Sequence, residues 1–243
     1  MSAAVGWGAL SASSLVIGAL LGIARPWPKK LIGAVLAFGA GALISAVSFD
    51  LAEEGGRIGG FDALSFGLAA GALTYWGANR VIERLTGPRR GGPSSHGENA
   101  QAGPALALGA FLDGIPEQAV LGIGIAAGEG VSVGLLAAIF ISNLPEAVGS
   151  ATAMRTSGKS RGTIIRLWLV VAVICALSTV AGYAIADTAS GNLRGAIDGF
   201  AAGALLVMLI DEMIPDAAKQ AGDIAGLLTV LGFAVAAALS AVS

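Results

Sequence analysis

Long apolar stretches alternate with short polar segments along this chain. Eight stretches of about eighteen or more predominantly apolar residues are long enough to cross the hydrocarbon core of a bilayer as helices. In chain order, spans one to eight are residues 3–24, 31–51, 61–78, 105–128, 131–154, 167–186, 195–213 and 224–242. We therefore expect a multi-pass, all-α membrane protein with eight transmembrane helices in a single domain.

The connections between these spans carry basic residues unevenly. Twelve of the 14 Lys and Arg residues follow spans one, three, five and seven, and only Arg57 and Arg194 fall on the other face. Because basic residues accumulate in cytoplasmic loops, this asymmetry predicts that both ends of the chain lie outside. Residues 80–101, rich in Gly, Pro and Arg, are expected to form a flexible cytoplasmic loop. The only histidine, His96, lies in this loop and is expected to be solvated.

Spans four and five each contain a polar cluster within an apolar run. Residues 112–118 read Leu-Asp-Gly-Ile-Pro-Glu-Gln, and residues 142–147 read Ser-Asn-Leu-Pro-Glu-Ala. Asp113 and Glu117 are four residues apart and share a helix face, as do Ser142 and Glu146, while Asn143 precedes Glu146 by three. At 1.5 Å per residue these groups fall near mid-membrane, where ionisable side chains are costly and usually functional.

Each cluster also contains a proline, which cannot donate a backbone hydrogen bond. Pro116 leaves the carbonyl of Leu112 without its helical partner, and Pro145 does the same to Ile141. Carboxylate, amide, hydroxyl and free carbonyl oxygens together suit a divalent cation. The alternative is that two kinked helices contain hydrogen-bonded acids that only fix their packing.

An internal repeat relates the two ends of the chain. Residues 33–43 match residues 195–205 at an offset of 162, which aligns Asp50 with Glu212. Since spans two and seven cross in opposite directions, the pattern is typical of an inverted-topology transporter repeat relating spans one to three with spans six to eight. Asp50 would then lie at the outer end and Glu212 at the inner end of a cation route. The alternative to the repeat is chance similarity between Gly- and Ala-rich segments. The alternative to the cation route is that the two acids lie at solvated helix ends.

Composition narrows the function classes. The chain is 55% hydrophobic and 12% charged, with a net charge of −2, so nothing indicates a nucleic-acid partner. Cys175 is the only cysteine, which excludes an intrachain disulfide. No nucleotide-binding motif is present, and transport would therefore be driven by an ion gradient or by voltage.

With these features the chain resembles the ZIP (ZRT/IRT-like) family of divalent metal transporters. The resemblance rests on the span count, the long inner loop, the two Pro-Glu motifs and the Glu-Met-Ile-Pro-Asp stretch at residues 212–216. In many bacterial members the fourth helix reads His-Asn-x-Pro-Glu-Gly. Glu117 matches the glutamate of that motif and Asp113 stands at its histidine, whereas Ser142, Asn143 and Glu146 match the ligands of the fifth helix.

The resemblance implies alternating access and uptake of a divalent metal ion into the cytoplasm across the cell membrane. It ranks zinc first, whereas an all-oxygen ligand set suits iron or manganese better. The family's site is often binuclear with an acid from the sixth helix, but residues 167–186 contain none. Whether one or two metals bind, and whether the chain is a monomer or a homodimer, stays open. The expected partners are the metal ion, as substrate and not as cofactor, and the bilayer lipid.

Two other functions use the same residues. The acids could act as the relay of a proton-coupled carrier of another solute. An intramembrane enzyme is a weak alternative, because the chain lacks the Gly-x-Gly-Asp stretch of membrane aspartyl proteases and has one histidine where a zinc protease motif needs two.

Overall fold

The structure is a computed structural model that describes residues 1–86, 102–126, 132–189 and 191–241. Of residues 82, 83, 85, 86 and 102–113 only the backbone is described. Every regular element in these ranges is helical, as expected. The α-helices are α1 (Ser2–Ala24), α2 (Lys29–Ala46), α3 (Glu54–Gly59), α4 (Phe61–Thr86), α5 (Ala102–Ala126), α6 (Val133–Thr156), α7 (Arg161–Asp187), α8 (Asn192–Met208), α9 (Ile214–Ala221) and α10 (Ala225–Ser240).

Five helical stretches within the described residues are long and apolar enough to cross a membrane. They are Ser2–Ala24, Lys29–Gly59, Val133–Thr156, Arg161–Asp187 and Asn192–Ser240, the last of which contains α8, α9 and α10. The expectation of an all-helical protein with several apolar helices is therefore confirmed, and the count of eight spans stays a prediction. Helix α4 continues to Thr86, so the predicted inner loop begins later than residue 80. Its remainder, residues 87–101 with His96, lies outside the described residues.

Two π-helical segments interrupt the long helices that carry the repeat. One is Val47–Glu53, between α2 and α3, and the other is Leu209–Met213, between α8 and α9. A π-helical turn bonds each amide to the carbonyl five residues earlier, which widens the helix, and such turns are frequent at functional sites. Both segments carry acids, including Asp50 in the first and Glu212 in the second.

Each long helix with a π-helical segment ends at a glycine in a conformation that other residues rarely adopt. Gly60, after α3, has φ 81°, and Gly222, after α9, has φ 66°. Glycine is favoured there because it has no Cβ to clash with the neighbouring carbonyl. The chain can therefore reverse at once into α4 and, through a short 3₁₀ turn, into α10.

The helices pack in two groups that meet along α2 and α6. In the first group α1, α5, α6 and α7 contact one another, and in the second α2 packs against α10 and α4 against α8. Glycines line the closest approaches: a Cβ on Gly41 of α2 would lie 1.8 Å from the Thr229 carbonyl oxygen of α10. On α8, a Cβ on Gly203 would lie 2.1 Å from the Leu68 carbonyl oxygen of α4. Such close backbone contact supplies the dispersion energy that holds helices together in lipid.

A buried arginine, paired with an aspartate of its own helix, connects the two groups at one end. Arg194 of α8 is 7% exposed, and its Nη2 donates to the carbonyl oxygen of Ile123 on α5 at 3.0 Å. Its Nε lies 3.7 Å from Oδ2 of Asp198, which is 2% exposed. The apolar pattern predicts that Arg194 lies in a connection between spans, whereas it is buried between helices.

We expect Gly41→Leu to destabilise the protein, because the new side chain would have to displace the α10 backbone. The expected loss is on the order of 1–3 kcal/mol, the usual cost of overpacking. Gly77→Leu in α4 is the matched control, since no described atom lies within 4 Å of a Cβ placed there. Thermal unfolding in detergent measures both, and equal melting temperatures would contradict the packing.

Replacing Arg194 by Met should destabilise the protein by about 3–5 kcal/mol, because it leaves the Asp198 carboxylate buried without its cation. The double variant Arg194→Met with Asp198→Leu should recover much of that loss, since it removes the uncompensated charge as well. Thermal unfolding of the two variants side by side gives the comparison. A double variant that is no more stable than the single one would argue against a buried ion pair.

Candidate metal-binding site

The two Pro-Glu motifs lie in helices that continue through their prolines. Pro116 is inside α5 and Pro145 is inside α6. One residue after each proline is a buried glutamate: Glu117 is 1% exposed and Glu146 is 9% exposed. The structure therefore buries one carboxylate of each motif between helices, and their position near mid-membrane stays a prediction.

Glu117 is held by side chains of the neighbouring motif on α6. Asn143 Nδ2 donates to Glu117 Oε2 at 2.9 Å. The Ser142 hydroxyl lies 3.2 and 3.3 Å from the two Glu117 oxygens and 3.0 Å from the Ile139 carbonyl oxygen, and it donates to one of them at a time. Ser142 and Asn143 are 0% and 1% exposed. The structure thus brings together three of the residues that the sequence singled out.

The amide of Asn143 has a chemically determined orientation. Nδ2 faces two acceptors, Glu117 Oε2 and the Ile139 carbonyl oxygen, each at 2.9 Å, and uses both of its hydrogens. Oδ1 is therefore on the other side, where it is buried and has no hydrogen-bond partner among the described residues. A buried acceptor oxygen without a donor is costly in apolar surroundings, and a cation would satisfy it.

Glu146 interacts with three other carboxylates. Glu117 of α5, Glu212 of the second π-helical segment and Asp216 of α9 all lie close enough to repel its charge. The sequence repeat predicts that Glu212 lies at a separate inner end, and Asp216 is only the last residue of the Glu-Met-Ile-Pro-Asp stretch. The tertiary structure instead brings this end of the long helix towards the central motif, so that four acids form one electrostatic group.

Tyr75 is a site residue that the sequence did not reveal. Its hydroxyl, on α4, donates to Glu212 Oε1 at 3.2 Å, and its side chain is 7% exposed. The only signal in the sequence was a tyrosine within an apolar span, where a buried phenol usually finds a hydrogen-bond partner. Which acceptor it meets depends on the packing of α4 against the second π-helical segment.

The remaining predicted residues differ in their surroundings. Asp113 lies one turn before Glu117 on α5, so it shares that face of the helix, but its side chain lies outside the described residues. Asp50 is in the first π-helical segment, and its carboxyl group interacts with the side chain of Ser132, at the start of α6. It belongs to a different neighbourhood from Glu117 and its two hydrogen-bond donors.

Within the part of the chain that the structure describes, no three His, Cys, Asp or Glu side chains meet in the geometry of a metal site. The side chains brought together at Glu117 carry one carboxylate, one amide and one hydroxyl, those of Glu117, Asn143 and Ser142. Such a mixed oxygen set is weaker than a carboxylate triad and fits a cation that must be released.

The sequence is similar to those of known zinc transporters. A putative zinc transporter of Arabidopsis thaliana is 30% identical over 189 residues, which cover 75% of this chain and 29% of the relative. The zinc transporter SLC39A7 of mouse is 28% identical over 162 residues, 60% of this chain and 34% of the relative. The human SLC39A7 protein is 27% identical over 128 residues, 50% of this chain and 26% of the relative.

The chain spans about a third or less of the length of these curated relatives. No protein-family model matches the chain. The relatives are nevertheless members of the family that the Pro-Glu motifs indicated. By sequence, this chain is similar to members of the ZIP family.

Proposed function

We propose that the protein transports divalent metal ions, zinc first and iron or manganese as alternatives, into the cytoplasm through a carboxylate site within the membrane. The observation that carries this proposal is the buried Glu117 carboxylate, held by Ser142 and Asn143 of the adjacent Pro-Glu motif. Relatives that are named zinc transporters support the same class of substrate. We assign transport, and not an enzymatic reaction, to the site.

Charge balance suggests how the site would work. Two buried carboxylates, Glu117 and Glu146, repel each other, and a divalent cation between them would neutralise both. Without metal, the donors of Ser142 and Asn143 offset part of the cost of burying Glu117. With metal, the Glu117 oxygens would become ligands, the Asn143 amide would turn so that Oδ1 faces the cation in place of Nδ2, and Asp113, one turn away on α5, would supply a further carboxylate.

The acids beyond the centre suggest a route. Glu212 and Asp216 interact with Glu146, so a cation leaving the centre towards α9 would keep negative groups beside it. Asp50, in the other π-helical segment, is proposed as the corresponding group at the outer mouth. Rings and rows of weakly binding oxygens let ions enter and leave, whereas one very strong site would trap them.

Eight spans with both ends of the chain outside, forming one domain in the cell membrane, remain our proposal for the topology. The uneven distribution of basic residues supports it. So does the turn at Gly222, which separates α8 and α9 from α10 within the long stretch Asn192–Ser240. Whether two copies of the chain associate stays open in this proposal.

Three structural correspondences support the inverted repeat. At the 162-residue offset found in the sequence, the two π-helical segments begin together, at Val47 and Leu209. The two glycines with positive φ, Gly60 and Gly222, fall at the same offset. Each repeat also contributes one helix to each close pair, because α2 packs on α10 and α8 packs on α4.

A close contact between the two repeats has an equivalent at the same 162-residue offset. A Cβ on Gly33 would lie 2.6 Å from the backbone nitrogen of Ala221, and one on Gly195 would lie 2.7 Å from the Cα of Gly59. Gly33 and Gly195 are 162 residues apart, and so are Gly59 and Ala221. The two contacts are therefore equivalent under the repeat, as a two-fold relation requires. With three spans in each repeat and two between them, the repeats would face opposite sides, and alternating access could exchange their arrangements.

We expect Glu117→Gln to weaken metal binding and uptake. The change keeps the shape and one oxygen but removes a charge, and the expected loss of affinity exceeds about tenfold, as for the removal of supporting groups around other metal sites. Zinc uptake into proteoliposomes and calorimetry on purified protein measure the two effects. Asp223→Asn is the control, because that carboxylate is exposed outside the candidate site.

Unchanged zinc affinity in Glu117→Gln would contradict the proposed site. If the wild-type protein binds no divalent metal, yet an imposed proton gradient drives another solute through it in a Glu117-dependent way, the proton-coupled carrier is the better explanation. The same acids serve both functions, and the solute that moves separates them.

The topology predicts opposite sidedness for two introduced cysteines in a Cys175→Ser background. A cysteine at Asp62, exposed at the start of α4, should react with an impermeant maleimide from outside. One at Thr156, exposed at the end of α6, should react only after the membrane is opened or from the cytoplasmic side. Labelling of both positions from one side would rule out the proposed arrangement of α4 and α6.

A further inference from the structure

Gln118 follows the proposed ligand Glu117 and lies in a fully buried polar contact of its own. Its Nε2 donates to the Ser11 hydroxyl oxygen of α1 at 2.9 Å. The Thr179 hydroxyl of α7 donates to its Oε1 at 2.8 Å. All three side chains are 0% exposed, and the amide joins α1 and α7 through direct hydrogen bonds.

The backbones of the three helices are close together around this amide. A Cβ on Gly8 of α1 would lie 2.8 Å from the Cβ of Thr179. A Cβ on Gly122 of α5 would lie 1.9 Å from the Thr179 carbonyl oxygen, and one on Gly182 of α7 would lie 2.2 Å from that of Ala119. Helix α5 is therefore in direct backbone contact with α7 on this side, and the Gln118 amide is bonded at both ends inside the junction.

The rotation of α5 relates this junction to the metal site. Consecutive residues on an α-helix point about 100° apart, so Gln118 faces α1 and α7 while Glu117 faces α6. Turning α5 about its axis would break the bonds of Gln118 and move Glu117 away from Ser142 and Asn143 together. Metal sites need their ligands held to within about 0.5 Å and 10–20°.

We propose that Gln118 is a positioning residue: its amide, bonded to Ser11 and Thr179, fixes the rotation of α5 and so directs the Glu117 carboxylate at α6. The part of this inference that concerns metal binding rests on the proposed function of Glu117. The orientation of α5 is a separate statement, because it concerns helix packing alone. A buried amide is a poor source of stability compared with an apolar side chain, but its directional bonds select one arrangement.

A cysteine cross-link reports the rotation of α5 without any metal. A Cβ placed on Gly114, one turn before Gln118, would lie 2.7 Å from Sγ of Cys175 on α7, so close that a small shift of this thiol would let a cysteine at position 114 form a disulfide with it. Oxidation of Gly114→Cys should therefore join it to Cys175, and loss of thiol labelling by a polyethylene-glycol maleimide measures the rate. Adding Gln118→Met, which keeps the volume but removes both hydrogen bonds, should slow this reaction.

Zinc binding gives the second measurement. We expect Gln118→Met to lower zinc affinity by about 10- to 100-fold, the range for groups that orient metal ligands. In a Glu117→Gln background the same change should have little further effect, because Gln118 acts through Glu117. A residue that only stabilises the fold would lower the melting temperature without this dependence on Glu117.

Two further variants separate orientation from general stability. Thr179→Val keeps the side-chain shape and removes only the donor to Oε1 of Gln118. It should therefore lower the cross-linking rate and the zinc affinity by less than Gln118→Met does. It also replaces that variant in the test if Gln118→Met does not fold. Thr152→Val is the matched control: its hydroxyl lies 3.3 Å from the Gly22 carbonyl oxygen, between α6 and α1 and away from Gln118. It should leave the cross-linking rate and zinc affinity unchanged.

The outcomes distinguish the two proposals. If wild-type protein binds no zinc, the proposed function fails, and the cross-linking rates still decide whether Gln118 orients α5. A second outcome is that zinc binds, but Gln118→Met and Thr179→Val change neither the rate of cross-linking between Gly114→Cys and Cys175 nor the affinity for zinc. That outcome overturns the positioning role. Slower cross-linking together with weaker, Glu117-dependent zinc binding supports it.

Discussion

The burial of the Glu117 carboxylate among apolar helices is the constraint on which the site depends. A charged group away from water is costly unless hydrogen bonds or a counter-charge compensate it. Here the compensation comes from α6, through the hydroxyl of Ser142 and the amide of Asn143. The same contact leaves Oδ1 of Asn143 buried and without a hydrogen-bond donor among the described residues, and a cation would satisfy it.

That arrangement depends on helices that approach one another closely. In lipid, apolar side chains gain little by leaving their surroundings, so small residues and backbone contact supply much of the packing energy. Glycines on α2, α5, α7 and α8 meet carbonyl oxygens of their neighbours. Polar bridges are then few and directional: Gln118 joins α5 to α1 and α7, and Arg194 joins the end of α5 to α8. Together these contacts determine how the helix bearing Glu117 is oriented.

The π-helical segments connect the packing with the chemistry. Each widens a long helix at a point that carries acids, and the two begin at equivalent steps of the sequence repeat. In the second segment Glu212 receives a hydrogen bond from Tyr75 and interacts with Glu146. In the first, Asp50 interacts with Ser132, at the start of the helix that carries Glu146. Equivalent positions of the two repeats therefore have different partners, as expected if the two arrangements exchange during transport.

The lengths of the apolar runs by themselves determined the helical class and the approximate position of each long helix that the structure describes, because a membrane helix must satisfy its backbone internally. Residue spacing likewise identified Glu117, Ser142 and Asn143, since residues three and four apart share a helix face. Only the tertiary structure decided that Glu212 and Asp216 approach Glu146, that Tyr75 bonds Glu212, and that Arg194 is buried. These contacts join segments far apart in the chain, and their geometry depends on helix rotation and on π-helical turns, neither of which a linear pattern of polar residues encodes.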